Sequence, residues 1–247
     1  MTTVVAGVSP LRTRPEVVAW AATEAWQRSA TLELVTVGTT QPAGLAQQAI
    51  EHGPGLAVVT KIVAGPVEQA LSDAAIGADL LVIGASSQSP FAEAITGSVP
   101  GALLTVAPCP VVVVPRNAEP AAGTAPIIVS VDSANTSLLV LEYAFAAAAR
   151  SDHPLVALFC GSALGNRIDG VAERYPGVPV TELRVDNDPI PELTRRSERA
   201  ALLVLGSRGR GSLTSLAFGS VSRTLIRSSH CPVAVLGPGL VVTDLAS

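Results

Sequence analysis

The chain states one pattern twice. Leu80-Leu81-Val82-Ile83-Gly84 returns as Leu202-Leu203-Val204-Leu205-Gly206, Gly97-Ser98-Val99 as Gly219-Ser220-Val221, and Cys109-Pro110-Val111 as Cys231-Pro232-Val233. All three recur at one offset, about half of the 247 residues. A fixed offset of this size predicts two copies of one domain, because repeats this long each carry their own core. Residues 1–118 are assigned to the first domain and 124–239 to the second, with the Ala-, Pro- and Gly-rich segment Arg116 to Thr124 as the linker. Domains of this size bury enough apolar surface to fold without disulfides or metals.

In the first copy, short β-branched runs alternate with helical patterns: Val4 to Val8, Leu32 to Val37, Val58 to Val63, Leu80 to Ile83 and Val111 to Val114. The second repeats the order with Ile127 to Val131, Leu155 to Phe159, Val178 to Val185, Leu202 to Leu205 and Val233 to Leu236. Strands separated by helices predict an α/β fold in which each domain is a five-stranded parallel, doubly wound sheet flanked by helices. The chain is 48% hydrophobic and only 3% aromatic, so Val, Leu, Ile and Ala carry the core, which suits sheets covered by Ala-rich helices. Thr13 and Glu16 have the spacing of a capping box, ahead of a helix whose apolar face carries Val18, Ala22, Ala25 and Trp26. The corresponding helix of the second copy is expected to bury Leu138, Leu141 and Phe145. For the tail after Gly237, with Leu240-Val241-Val242, the pattern leaves docking and fraying both open.

Several function classes are disfavoured. Mean hydropathy is +0.46, yet the most apolar stretch, Leu138 to Ala149, is interrupted by Glu142 and is too short to span a bilayer. Met1-Thr2-Thr3-Val4-Val5 lacks the basic and long apolar regions of a secretory signal, which predicts a cytoplasmic protein. A net charge of −4 offers no basic field for nucleic acid or an anionic membrane. Cys109, Cys160 and Cys231 read as thiols rather than a disulfide set, since their number is odd and the expected compartment is reducing. His52, His153 and His230 are too scattered for a metal site, and neither CxxC nor HxxxH spacing occurs.

The chemistry is expected in the second copy, where the strand ending at Leu205 runs into Gly206-Ser207-Arg208-Gly209, and Gly219-Ser220 later opens a helix. A strand-loop-helix passage sets backbone N–H groups and a helix N-terminus at the carboxyl edge of a parallel sheet, where phosphates bind. Gly206, Gly209 and Gly219 permit positive φ and let a ligand approach the backbone with no Cβ in the way. Gly206 and Gly211 have P-loop spacing, but Ser212 stands where the phosphate-binding lysine belongs. Gly209-Arg210-Gly211 is followed by Ser212-Leu213-Thr214, so no dinucleotide fingerprint exists.

The pattern Gly206-x2-Gly209-x9-Gly219-Ser220 after a strand, with Asp132 following Ile127 to Val131 and the late Cys231-Pro232-Val233 strand, resembles the universal stress protein family. Both halves share the likeness, so the whole chain resembles a tandem member of that family. The resemblance implies five parallel strands per domain and binding of ATP or another adenine nucleotide, with magnesium brought by the nucleotide. It implies a stress-response regulatory module rather than an efficient enzyme, at most a slow ATPase or adenylate-kinase-like activity. Position by position, Asp132 resembles the acidic residue beside the nucleoside and Cys160 the adenine-contacting segment. Gly206, Gly209, Gly219 and Ser220 resemble the ribose and phosphate contacts, with Val221 and Ser222 following. By the same resemblance the full chain is a candidate homodimer, and its output would pass through a regulatory protein partner.

The first copy departs from this pattern. Ser9-Pro10 stands where the acidic residue would be and Ser87 where Gly209 is, leaving Gly84, Gly97 and Ser98 as a weaker second site. A Cβ at residue 87 would crowd a phosphate, and the missing carboxylate removes a polar anchor. Blander readings stand beside these: Asp132 as a cap of the helix beginning near Asn135, Ser220 and Ser98 as helix caps, the glycines as tight turns, and Arg208 and Arg210 as a solvated surface. The rival function is a nucleotide-free protein-interaction scaffold with vestigial loops. Catalysis is disfavoured because the one obvious acid, Asp132, falls at the nucleoside end by the same resemblance.

Overall fold

The computed structural model describes residues 2–10, 14–85, 99–116, 118, 121, 123–132, 138–160, 166–186, 188–206, 219–237 and 240. The chain divides into two compact units, Met1–Ala118 and Glu119–Ser247.

The first unit contains β1 (Thr3–Val8), α1 (Pro15–Gln27), β2 (Thr31–Val37), α2 (Leu45–His52), β3 (Val58–Val63), α3 (Val67–Ala74), β4 (Leu80–Gly84), α4 (Val99–Val106) and β5 (Val111–Val114). Its five strands lie in the order β3-β2-β1-β4-β5, every neighbouring pair parallel. The second unit contains β6 (Ile127–Asp132), α5 (Leu138–Ser151), β7 (Leu155–Cys160), α6 (Asn166–Ala172), β8 (Val180–Val185), α7 (Ile190–Ser197), β9 (Leu202–Gly206), α8 (Ser220–Ser228) and β10 (Val233–Leu236). Its strands repeat the order as β8-β7-β6-β9-β10, again all parallel. Each unit is thus the expected five-stranded, doubly wound sheet with helices between its strands.

The sequence dictates these layers through burial. Parallel strands covered on both faces need continuous apolar runs rather than alternation, and Leu80, Leu81, Val82, Leu203 and Val204 are all fully buried. The outer strands β3 and β8 carry the charges instead, among them Lys61 with its ion pair to Glu33 on β2. Above β6 and β9, α5 buries every residue from Leu139 to Ala148. Its small alanines favour a helix and let it lie close on the sheet. The buried carboxylate of Glu142 on α5 is paired with Arg174, and Phe145 stacks on Tyr175 with ring centroids 5.7 Å apart.

Four local expectations are corrected. Trp26 is 53% exposed near the end of α1, and Leu138 is 52% exposed as the first residue of α5. Strand β8 begins at Val180 rather than Val178. The residue flanking α1 is Arg14, with Pro15 at the first helical position and no side-chain capping bond. Glu16 takes the Arg14 Nε–H at 3.0 Å instead of closing a capping box, and Thr13 lies outside the described residues. Among the described residues, no helix is long and apolar enough to cross a membrane.

Candidate functional site

Each sheet has a point where chain order reverses. From β6 the chain runs outward through β7 and β8, then returns to β9 and β10 on the other side. Connections leaving the two central strands diverge to opposite faces there, and the crevice outside their carboxyl ends is where this architecture binds ligands.

Three expected residues meet at that crevice in the second unit. Asp132 ends β6, its register partner Cys160 ends β7, and Gly206 ends β9 on the opposite flank of β6. A fourth contact brings in the following helix. Ser222 is buried in the first turn of α8, and its Oγ donates to the Gly206 carbonyl at 3.0 Å. That bond gathers Gly206, Gly219, Ser220, Val221 and Ser222 at one corner. The residue flanking α8 is Gly219, with no side-chain capping bond to the first-turn N–H groups among the described residues. Such a helix end carries partial positive charge and suits an anion.

The structure alters three details. Ser220 is the exposed first residue of α8 rather than its cap, and its carbonyl accepts the Thr224 hydroxyl at 2.9 Å. Gly219 has φ −60° and ψ 145°, a conformation open to any residue, so the value of glycine there lies only in its missing Cβ. Strand β6 runs one residue past Val131, so that Asp132 is its last paired residue, opposite Cys160. Gly209, Arg208 and Arg210, and Ser87, Gly97 and Ser98 of the first copy, lie outside the described residues.

The first unit presents the same crevice between β1 and β4 with different chemistry. Val4 pairs with Leu32 and Leu80, as Ile127 pairs with Leu155 and Leu202, so the strands superpose with Ser9 at the position of Asp132. Pro100 stands where Ser222 does and has no side-chain donor for Gly84. A residue missed by sequence reasoning lies at this place. Arg14 is packed against Gly84, where an added Cβ would fall 2.6 Å from its Nη1 and 3.1 Å from its Cδ and Cζ. Its Nη1 donates to the Ala85 carbonyl. Only the position of Arg14, directly before the helix-starting Pro15, hinted at a role near the strand ends.

Cys109 and Cys231 sit away from both crevices and are buried. Burial, and secondarily the Asp79 charge, pushes the Cys109 thiol up to about 12. Burial likewise pushes Cys231 up to about 11, against opposing hydrogen bonds that include one from Ser229. Neither suits a thiolate nucleophile. Cys160 is half-buried. Among the described residues no group of three or more His, Cys, Asp or Glu side chains could hold a metal ion.

Comparison with known proteins agrees with this fold. Residues 42–115 and 166–237 match the universal stress protein family, one match in each unit. A universal stress protein of Mycobacterium tuberculosis is 33% identical over 212 residues, covering 76% of this chain and 71% of the relative. Another from the same organism is 30% identical over 214 residues, covering 77% of this chain and 72% of that protein. The crystal structure of a universal stress protein from Archaeoglobus fulgidus matches with a TM-score of 0.68 at 18% identity, covering 94% of this chain and 96% of that one. At that identity the likeness speaks to the fold.

Proposed function

The chain belongs to the universal stress protein family, and on that premise we propose that it is a cytoplasmic regulatory protein whose second unit binds an adenine nucleotide, ATP with its magnesium. The observation that carries the reading is the convergence of Asp132, Cys160 and Gly206 on the switch point of one sheet, beside an uncapped helix start held to Gly206 by Ser222. Asp132 would hydrogen-bond the nucleoside, the chain around Cys160 would line the base, and the glycines with the N–H groups of Ser220 to Ser222 would take the phosphates. The bound nucleotide supplies negative charge and shape for a partner to read.

The test is calorimetric titration of the nucleotide-stripped full chain with ATP and magnesium, beside Gly209→Val, whose added side chain would crowd the phosphates. One site per chain, lost in the variant, is the expected result. Absence of heat up to millimolar ATP would sink the reading and favour a scaffold that presents its sheets and helices to a protein partner. In that case, retention of stress-linked activity by the glycine variant would be the matching observation.

A further inference from the structure

We infer that Arg14 decides which unit takes nucleotide: its side chain occupies the switch-point crevice of the first unit and closes it. The inference rests on the reading that such a crevice is a nucleotide site in this chain. Glycine at the end of the fourth strand of a unit leaves room for a ligand to lie on bare backbone. In the first unit that room is already filled. The Arg14 guanidinium and Cδ lie so close to Gly84 that even a methyl group there would collide with them. The side chain is 16% exposed, and two contacts fix it: Nη1 donates to the Ala85 carbonyl one residue beyond β4, and Nε donates to Glu16 at 3.0 Å.

Two of its nitrogens are therefore engaged by the protein itself, while the buried Nη2 has no hydrogen-bond partner among the described residues. Glu16, two residues along on α1, neutralises the cation, and a backbone acceptor of the loop leaving β4 uses its leading nitrogen. An incoming nucleotide would have to displace both charge-assisted contacts before reaching Gly84. It would then find Ser9 where the second unit offers Asp132. In sequence, the residue of the second copy that corresponds to Arg14 is Ser137, which carries no cation. Arg14 and Ser137 thus separate the two copies where the strand-end glycine does not, since Gly84 and Gly206 are the same residue type at the same strand end.

The test restores the nucleotide pattern of the first unit with and without Arg14. Ser9→Asp/Ser87→Gly keeps the arginine, and Ser9→Asp/Ser87→Gly/Arg14→Ser removes it. Both are compared with the wild type by calorimetric titration with ATP and magnesium, with far-UV ellipticity and a thermal melt to establish folding. The pair without Arg14 is expected to gain one site per chain over wild type, and the pair with Arg14 to gain none. Arg14→Ala in the same background replaces the serine variant if that one fails to fold. A gained site with Arg14 still present would overturn the inference, as would no gain once it is removed from a folded protein. A wild type with two sites, one of them lost in Arg14→Ser alone, would overturn it by making the arginine a ligand. A wild type without any site, next to a variant with one, would refute the proposed function of the second unit while leaving the role of Arg14 standing.

Discussion

Replacing Ser222 with alanine removes one hydroxyl and should loosen the corner that joins β9 to α8. Ser222 is 2% exposed, and its Oγ donates at 3.0 Å to the carbonyl of Gly206, sixteen positions earlier in the chain. A neutral hydrogen bond contributes about 1 kcal/mol net, and an acceptor left without its donor in a buried place costs about 1–3 kcal/mol. Gly206 is only partly buried, so water can recover some of that penalty, and we expect a loss of about 1–2 kcal/mol. The change in volume is too small to add a cavity of consequence. Urea unfolding followed by far-UV ellipticity reads the loss as a lower midpoint at unchanged slope. Trp20 and Trp26 both belong to the first unit, so fluorescence in the same titration reports that unit separately. Thr224→Ala, which removes an exposed hydroxyl bonded to the Ser220 carbonyl, is the control and should move stability by no more than about 0.5 kcal/mol. The helix start also loses its tether to Gly206, so ATP affinity should fall in Ser222→Ala and hold in the control. A stability loss for Ser222→Ala no larger than that of Thr224→Ala would show that the bond does not hold the corner together, and the argument for a preassembled site would go with it.

Two further outcomes follow from burial. Native protein treated with iodoacetamide at pH 8 should be alkylated first at half-buried Cys160, with ATP slowing the reaction, while Cys109 and Cys231 react only after denaturation; rapid labelling of all three would contradict their burial. The two buried thiols also set an alkaline limit: the folded protein keeps their protons up to about 12 and about 11, whereas the unfolded chain releases them near 9.0, so stability is intact below pH 9 and declines as pH rises toward those folded values. Equilibrium unfolding between pH 8 and pH 11 checks the sign, and a stability that rises over this span would be incompatible with it. In β1, a Cβ on Gly7 would fall 2.9 Å from Leu71 Cδ1 and 3.4 Å from Ile83 Cγ2, and Leu71 is buried at 4% exposure. Gly7→Val should therefore destabilise by about 1–3 kcal/mol through overpacking, with part of the loss recovered in Gly7→Val/Leu71→Ala; additive losses in the double variant would place the strain elsewhere.

The inner strands were legible because a parallel sheet buried on both faces demands aliphatic runs, as in β4, β5, β9 and β10, while the outer β3 and β8 showed only as β-branched runs broken by charges. The reading stopped one residue short at Gly84, Asp132, Cys160 and Gly206, each of which still pairs in its ladder. Pairing belongs to the backbone, whereas the aliphatic signal ends where a side chain takes on another task, so the apolar pattern gives out just where the candidate site begins. Helix ends were less legible. Periodicity does not encode the exposure of Trp26 and Leu138 near helix ends, and Pro15 rather than the Thr13 and Glu16 spacing marked the start of α1. Arg14 was invisible for a further reason: its acceptor on Ala85 is 71 residues away in the chain, and only closure of the sheet brings β1 and β4 side by side. Seen together, the units differ most tellingly at their carboxyl edges, with Ser9 for Asp132, Pro100 for Ser222 and Arg14 for Ser137, while beneath them Val4 is exchanged for Ile127 and Ile83 for Leu205, and Val82 is kept as Val204. Aliphatic exchanges preserve a core, and changes of charge and reach at the carboxyl edge leave that core untouched. The second kind of change is what is needed to alter binding in one copy of a fold without weakening its sheet.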